Sequence, residues 1–138
     1  MGGRVLATFA TAATLVAGCG GSDFENKPRA PVRIELSGVI QNDKVTVSPT
    51  RDLGAGPFEI TLSNQTDEPH TVTLEGETIK EDAGSVDPAD TLTIKRTLDP
   101  GTYEVRAGSQ QAVPKEIRPA TLTVGAERPD SNSDLLLP

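Results

Sequence analysis

Hydrophobic and polar residues alternate in short stretches along the chain, and the clearest stretch runs from Pro57 to Gly76. Apolar side chains at every second position predict strands that bury one face. Two such strands flank Asn64–Pro69, a segment rich in residues that favour turns. His70 opens the second strand and shares the parity of its apolar positions, so we expect its side chain to point towards the core. The pattern predicts a β-hairpin around which further strands pack.

The same alternation recurs on both sides of this hairpin, and no segment has the 3.6-residue period of an amphipathic helix. The predicted strands outside the hairpin are Val32–Leu36 with its continuation to Ile40, Lys44–Ser48, Asp90–Thr97, Thr102–Ala107 and Ala120–Val124, and Glu77–Ile79 is a candidate for one more short strand. Loops are predicted at Thr50–Gly56, Glu81–Pro88 and Gly108–Pro119. About seven to eight short strands with frequent turn signals predict an all-β fold, an antiparallel Greek-key sandwich.

Tyr103 follows the turn residues Pro100 and Gly101 at the start of a predicted strand. A tyrosine at such a corner often ties its hydroxyl back to the backbone in Greek-key sandwiches. Simple packing of the ring in the core is the alternative, and the sequence leaves both open.

The composition limits the function classes that the chain can serve. It has 138 residues, enough for one ordinary domain, and a formal net charge of −7. Trp is absent and Phe and Tyr are few, so the core must be aliphatic. Nucleic acid is not an expected partner, because binding phosphates requires clustered Lys and Arg. No catalytic motif of the Gly-x-Ser-x-Gly, phosphate-loop or His-Glu-x-x-His type occurs, so we expect a protein without catalytic residues.

The first residues look like an export signal. Arg4 gives a minimal positive start, and Val5–Ala17 is an apolar run too short to span a bilayer comfortably. The run ends in Leu15-Val16-Ala17-Gly18-Cys19, which resembles the lipobox of bacterial lipoproteins. The resemblance implies that residues 1–18 are removed and that Cys19 carries diacylglycerol and further acyl chains such as palmitate. The alternative is a soluble secreted protein with a coincidental cysteine.

Anchoring through Cys19 would place the protein in the bacterial cell envelope, attached to the membrane with its domain outside the cytoplasm. Residues 19–30 would then be the lipidated start and a flexible tether, 31–125 the sandwich, and 126–138 a flexible tail. The tail carries Leu135-Leu136-Leu137. We expect these leucines to dock on the sandwich or to fray rather than to serve as a partner motif.

From Pro31 to Gly125, the order of sequence features resembles a bacterial cupredoxin. The resemblance implies a cupredoxin-like β-sandwich, with a generic immunoglobulin-like sandwich as the alternative. The pieces that carry it are Val47-Ser48-Pro49, Ala55-Gly56-Pro57-Phe58 with the strand to Asn64, Pro69-His70-Thr71-Val72, Asp87-Pro88-Ala89-Asp90-Thr91, Asp99-Pro100-Gly101-Thr102-Tyr103 with the strand to Val105, and Ala120–Gly125.

The copper ligands of the resembled family are missing from this chain. Copper cupredoxins bind the metal through two His, one Cys and usually a weak axial Met. His70 lies where the resemblance puts the first His. The Cys position holds Ala107, Gly108–Val113 contains no His, and no Met stands near Ile117 or Arg118. We therefore expect no type 1 copper site and no cofactor.

Two interpretations of His70 stay open. It is either a weak ligand for copper or iron, helped by Asp67, Glu68 or other loop carboxylates, or an inward His whose ring nitrogens are satisfied by backbone or loop groups. A lone His favours the second interpretation. The acidic stretch with Glu81, Asp82, Asp87 and Asp90 lacks the alternating oxygen spacing of an EF-hand loop, so we expect a solvated loop rather than a calcium site.

The sequence thus favours a monomeric, membrane-attached module that binds an envelope protein or a small ligand. Loops on a rigid sandwich commonly carry recognition, so the mouth around His70 and the Gly108–Pro119 loop are the expected contact surface. The candidate contact residues in that loop are Gln110, Gln111, Lys115 and Glu116. The alternatives are transient copper or iron handling through His70 and carboxylates, and a purely structural envelope protein.

Overall fold

The computed structural model describes residues 31–109 and 116–128, which form eight β-strands and no helix. The strands are β1 (Ile34–Ile40), β2 (Val45–Ser48), β3 (Leu53–Asn64), β4 (His70–Gly76), β5 (Lys80–Val86), β6 (Thr91–Leu98), β7 (Gly101–Ser109) and β8 (Ala120–Glu127). The predicted all-β fold is confirmed. In the described part of the chain, no helix is long and apolar enough to span a membrane. The lipobox, Cys19, the whole tether up to residue 30 and the three tail leucines lie outside the described residues.

Two sheets pack against each other and are linked through β3. One sheet has the strand order β2-β1-β3-β6, and the other has the order β8-β7-β4-β5. Leu53–Ala55 at the start of β3 pair with β8, whereas Gly56 and the residues after it pair with β6. Gly56 has a φ of 136° at this change of sheet, a conformation that glycine adopts without steric cost. The predicted sandwich is confirmed, but it is not purely antiparallel, because β1 with β3 and β3 with β8 are parallel pairs. The predicted hairpin of β3 and β4 is wrong, since the two strands lie in different sheets.

The core between the sheets is aliphatic apart from two aromatic rings. Alternate residues of each strand point inwards, and Leu36, Leu62 and Leu74 are at most 1% exposed. Phe58 is buried to the same degree, and the Tyr103 ring is also buried. The Tyr103 hydroxyl donates a hydrogen bond to the carbonyl oxygen of Asp99 at 2.9 Å. Tyr103 therefore takes both predicted roles, core packing and the corner tie.

The Tyr103 hydroxyl keeps its proton more tightly in the fold. Burial raises its pKa above the ordinary value of 10.0, and the Asp99 carboxylate acts in the same direction. The ring also packs closely on Gly76 at the end of β4, where an added Cβ would come within 2.6 Å of it. This contact explains why a residue without a side chain ends that strand.

Two predicted loops are wrong. The acidic loop Glu81–Pro88 is for the most part β5, which pairs with β4 although only Val86 of the strand is fully buried. Its polar composition fits an edge strand, and a register shift near Gly84, with φ 114°, breaks its alternation. The second wrong loop, Thr50–Gly56, contains the start of β3 from Leu53 onwards, because pairing with β8 extends the strand.

Further boundaries differ. Strand β1 begins at Ile34, where its pairing with β3 starts, and Val32 before it is 75% exposed rather than part of the strand. The candidate strand Glu77–Ile79 is a turn, in which the Gly76 N–H donates to the Ile79 carbonyl oxygen at 2.7 Å. Strand β7 continues past Ala107 to Ser109, since Gly108 and Ser109 still pair with β4. Strand β8 continues past Val124 to Glu127, because Gly125 and Glu127 pair with the start of β3.

The connections between strands collect at two ends of the sandwich. We call the four described connections 41–44, 65–69, 87–90 and 116–119 the His70 end. The opposite end consists of the entry segment 31–33, the connection 49–52, the turns 77–79 and 99–100, and the exit at Arg128. Strand β1 runs from the opposite end to the His70 end, beside Phe58 at its start and Asn64 at its finish. Its seven residues separate the two ends by about 20 Å.

Candidate functional site

His70 lies at the first position of β4, between Val86 of β5 and Ser109 of β7. Its side chain points into the sandwich, as the parity of the strand predicts, and only 3% of the residue is exposed. A histidine with this burial needs hydrogen-bond partners for its ring nitrogens. These partners decide which of the two ring nitrogens carries the proton and which one can bind another group.

A buried polar network around Asn64 holds the turn that leads into His70. The Asn64 amide nitrogen donates to the carbonyl oxygens of Glu68 and Val86, at 2.8 and 3.2 Å. Its amide oxygen accepts from the Thr66 N–H at 3.0 Å and from the Thr66 hydroxyl at 2.8 Å. Asn64 is 1% and Thr66 5% exposed. Sequence reasoning assigned Asn64–Pro69 to a turn but did not identify these two residues as the support of the site.

The network fixes the tautomer of His70. The Thr66 hydroxyl oxygen lies 2.7 Å from His70 Nε2, and it also lies 2.8 Å from Asn64 Oδ1 and 3.0 Å from the Glu68 carbonyl oxygen. Those two oxygens can only accept, so the geometry favours placing the single Thr66 proton towards one of them, which avoids two bare oxygens 2.8 Å apart. Nε2 is then the donor to Thr66, and the neutral ring carries its proton there. Nδ1 is left with a lone pair.

That lone pair has no hydrogen-bond partner within residues 31–109 and 116–128, and the atom is shielded from solvent. The two ring nitrogens point to different sides of the imidazole, so Nδ1 faces away from the Thr66 turn. The Glu68 carboxylate stands at the rim and accepts a hydrogen bond from the Ser109 hydroxyl at 3.3 Å. The site therefore holds a buried ring nitrogen without a partner among the described residues, and the half-buried Glu68 carboxylate lies in the turn before β4.

Backbone hydrogen bonds join the four connections of the His70 end into one platform. The Gln65 N–H donates to Ile40 at 3.0 Å, and the Asn64 N–H donates to Asp90 at 2.9 Å. Ala89 adopts a φ of 62°, and its N–H donates to Asn64 at 3.0 Å. Within the same platform, the Arg118 N–H donates to the Asp43 carbonyl oxygen at 3.0 Å. The surface loops at this end are thus held rigidly relative to one another.

The residues at the copper positions do not fit a type 1 centre. Ala107 is buried on β7 opposite Val72, two pairs along the ladder from His70, and its side chain offers no ligand atom. Ile117 is buried, whereas Arg118 is exposed and pairs with Asp43 at 3.1 Å. Within the described chain, no three His, Cys, Asp or Glu side chains group as a metal would require. The single imidazole and the absence of a second one from the sequence do not match the ligand set of blue copper.

The four carboxylates of the acidic stretch Glu81–Asp90 do not converge on one point. Glu81 forms an ion pair with Arg96 across the sheet edge. Asp82 accepts the Gly84 N–H at 2.8 Å, and Asp90 accepts the Thr91 N–H at 2.7 Å. Asp87 is an exposed residue of the following loop. Three of the four side chains are exposed, and the segment is a strand as far as Val86 rather than a loop.

Three of the predicted contact residues, Gln110, Gln111 and Lys115, lie outside the described residues. Glu116 is described and is exposed on the platform. Asp67 and Glu68, which the sequence suggested as helpers of His70, both lie in the turn before β4, and only Glu68 reaches the rim beside Ser109.

A cleft of about 470 Å³ lies at the opposite end, away from His70. Arg128 lines it beside Gly56, and its guanidinium donates to the carbonyl oxygens of Ala55, at 3.3 Å, and of Val32. An added Cβ at Gly54 would come within 2.3 Å of the Arg128 side chain, so the close contact between the two residues requires glycine. Arg128 ties the segment that enters the sandwich to the residue at which the chain leaves it.

No family model and no curated protein matches the chain. Among solved structures, it is similar to a multicopper oxidase, with 14% identity over 72% of this chain and a TM-score of 0.47. The match spans only 45% of that oxidase chain. It is also similar to a dithionite-reduced auracyanin from the photosynthetic bacterium Roseiflexus castenholzii, with 15% identity over 70% of this chain and 98% of that one and a TM-score of 0.44. Both likenesses are distant and concern the cupredoxin-like fold alone.

Proposed function

We propose that the protein is a membrane-anchored, extracytoplasmic, cupredoxin-like lipoprotein that acts as a non-catalytic binding module without a type 1 copper site. Its contact surface is the His70 end. The observation that carries this proposal is the placement of the chain ends. The described chain enters and leaves at the opposite end, so a lipid anchor before Pro31 leaves the His70 end free to face a partner.

The entry and exit geometry supports this orientation. Strand β1 starts beside Phe58 and β8 finishes beside Ala55, both at the opposite end. Arg128 bridges to Val32 and Ala55, which holds the entry segment against the sandwich. An anchor at Cys19 would therefore pull on the end farthest from His70. The His70 end would stand farther from the lipid than the entry point by about 20 Å, which is the length of the seven-residue strand β1.

The chemistry of the chain supports binding rather than electron transfer. A blue copper centre needs a thiolate for its soft, covalent metal bond. The one cysteine of the chain, Cys19, stands in the lipobox, and Ala107 occupies the position of the copper thiolate. The platform at the His70 end is held together by backbone hydrogen bonds, which suits a surface that binds without rearranging.

A second candidate function is weak or transient handling of copper or iron. One observation favours it, the Nδ1 atom of His70, which has no hydrogen-bond partner among the described residues. Imidazole nitrogen is a common ligand of both metals, and a carboxylate can complete a weak site. A ligand set of this size predicts loose, exchangeable binding.

Metal content separates the two candidates. We expect the purified full-length protein, exposed to Cu(II) or Fe(II) and then desalted, to retain well below one metal ion per chain by mass spectrometry. The variant His70→Gln is the control, because its amide nitrogen can still donate to Thr66 while the Nδ1 lone pair is removed. Equal, low metal content in both proteins is the expected result. Near-stoichiometric metal that disappears in His70→Gln would put metal handling first.

A further inference from the structure

We propose that the segment after Arg128 folds back into the cleft of the opposite end, and that the side chains of Leu135–Leu137 fill it. The inference goes beyond the proposed function, because it concerns the end of the sandwich away from His70. It chooses docking over fraying, the two outcomes that the sequence left open for these leucines.

The first observation is the lining of the cleft. Its volume of about 470 Å³ lies within the range of about 300–1,000 Å³ that ligand pockets occupy. Five of its described lining residues have no polar side-chain atom, namely Pro31, Ala55, Gly56, Pro57 and Leu98. Thr97, Asp99 and Glu127 are exposed, so they form a polar rim around these apolar residues. A cleft of this kind suits an apolar occupant, because covering it removes apolar surface from water.

The second observation is the place at which the described chain stops. Arg128 is its last residue and lines the cleft, so the segment that follows starts at the cleft itself. The Arg128 guanidinium donates to the carbonyl oxygens of Val32 and Ala55, which fixes this starting point against the sandwich. Leu135 is the seventh residue after Arg128. Since a chain spans at most about 3.6 Å per residue, Leu135 stays within about 25 Å of Arg128. Such a short link gives the leucines a high effective concentration at the cleft.

The sequence of the segment fits a return to the cleft. Residues 129–134 read Pro-Asp-Ser-Asn-Ser-Asp, residue types that favour turns and allow the chain to reverse its direction. Three consecutive leucines follow. Large apolar side chains in a row would form an exposed apolar patch if they stayed in water, and the cleft is an apolar surface within their reach.

The segment before Pro31 is the competing occupant, because Pro31 also lines the cleft. Between Cys19 and Pro31, Phe24 is the one large apolar residue of the sequence. Burial of one leucine and burial of one phenylalanine gain similar free energy. Three leucines therefore gain more from the cleft than Phe24 alone, and the segment after Arg128 is the favoured occupant.

A filled cleft would join the entry and the exit of the chain. The leucines would contact Pro31 of the entry segment and Leu98 beside the turn 99–100, in addition to the hydrogen bonds of Arg128. The end that the proposed anchor turns towards the membrane would then present no open apolar cleft to the lipid. The His70 end would be left unchanged as the surface for a partner.

Disulfide trapping in the full chain tests the inference. The substitution Cys19→Ala removes the one native thiol, and Leu136→Cys with Thr97→Cys then introduces two new ones. Thr97 is exposed and lines the cleft. A disulfide requires the two Cβ atoms to come within about 4.5 Å of each other, so mild oxidation traps the segment only where it visits the cleft. Mass spectrometry of tryptic peptides and non-reducing electrophoresis measure the rate and the kind of disulfide formed.

The matched control replaces Thr97→Cys with Thr123→Cys. Thr123 is exposed on β8, five residues before Arg128, so it lies about 17 Å along the strand and within reach of the segment but outside the cleft lining. We expect the Thr97 pair to form its intramolecular disulfide at least about fivefold faster than the Thr123 pair, because docking raises the local concentration of one thiol at the other. Adding Leu135→Ser and Leu137→Ser should lower the rate of the Thr97 pair to that of the control, through loss of the apolar contact.

Four results would overturn the inference. Equal rates of the Thr97 and Thr123 pairs would show a segment that visits the whole surface within its reach. An unchanged rate after Leu135→Ser and Leu137→Ser would show that the leucines do not drive the contact. Faster trapping when Phe24→Cys takes the place of Leu136→Cys would assign the cleft to the segment before Pro31. Disulfides formed mainly between two chains would assign it to a second copy.

Failure of this inference is distinguishable from failure of the proposed function. The trapping experiment uses a chain without the anchoring thiol and leaves the His70 end unchanged. Membrane attachment and partner binding at the His70 end are read out separately, by the fractionation and photo-cross-linking experiments described below.

Discussion

Replacing Asn64 with alanine should lower the free energy of unfolding by about 3 kcal/mol. The variant removes the donor to the Val86 carbonyl oxygen and the acceptor for the Thr66 N–H. Each buried polar group left without a partner costs about 1–3 kcal/mol. The Thr66 hydroxyl also loses its Asn64 partner, so the turn that supports His70 should loosen first.

Urea unfolding followed by circular dichroism measures this loss. The control is Gln65→Ala, the neighbouring residue of the same turn, whose side chain is exposed. Its backbone N–H still donates to Ile40, so it should change stability by less than about 0.5 kcal/mol. A loss below about 1 kcal/mol in Asn64→Ala would show that the buried network does not hold the His70 end together.

Replacing Cys19 with alanine should move the protein from the membrane fraction to the soluble fraction almost completely. Two or more acyl chains give stable anchoring, and without the Cys19 thiol no acyl chain can be attached to this position. Incorporation of labelled palmitate should disappear together with membrane attachment.

Cell fractionation and palmitate labelling of cells that express the full chain check this result. Ser22→Ala, three residues further along the tether, is the matched control and should stay with the membrane and keep its label. Membrane attachment that survives in Cys19→Ala would contradict the lipobox interpretation and leave another part of the chain as the attachment.

Local sequence patterns predicted most strands because the inward parity of a half-buried strand is visible within a few residues. Strands β3 and β4 are the clearest case, and His70 points inwards as its parity requires. Their predicted pairing as a hairpin is wrong, because β3 pairs with β1, β6 and β8, whereas β4 pairs with β5 and β7. Strand β5 was not predicted, because its strand conformation depends on pairing with β4 rather than on an alternating pattern in its own side chains. Its apolar residues are Ala83 and Val86 alone, and the bulge near Gly84 breaks the two-residue period between them.

The candidate site could be predicted only in outline. The turn chemistry of Asn64–Pro69 and the position of His70 are local features, and the sequence shows both. The supporting role of Asn64 depends on the Val86 carbonyl oxygen, 22 residues away, which reaches it only once β4 and β5 pair. One local signal was available, since an Asn with a Thr two residues later is typical of a turn in which the Asn side chain bonds the backbone.

The concentration of carboxylates in the four connections of the His70 end has the same origin. Each connection of the His70 end contributes only one or two carboxylates, so no run of acidic residues appears along the sequence. The fold brings the four connections together through backbone hydrogen bonds between Asn64 and Asp90 and between Arg118 and Asp43. The acidic platform is therefore a property of the topology, and the sequence alone indicates only that the chain is acidic.

The most direct test of the account is site-specific photo-cross-linking in intact cells. A photoreactive phenylalanine derivative placed at Gln65, exposed at the His70 end, is compared with the same group at Thr78, exposed in a turn of the opposite end. The account predicts a discrete adduct of higher mass from Gln65 and none from Thr78. Adducts from Thr78 alone, or equally from both positions, would contradict a binding module that presents its His70 end away from the membrane.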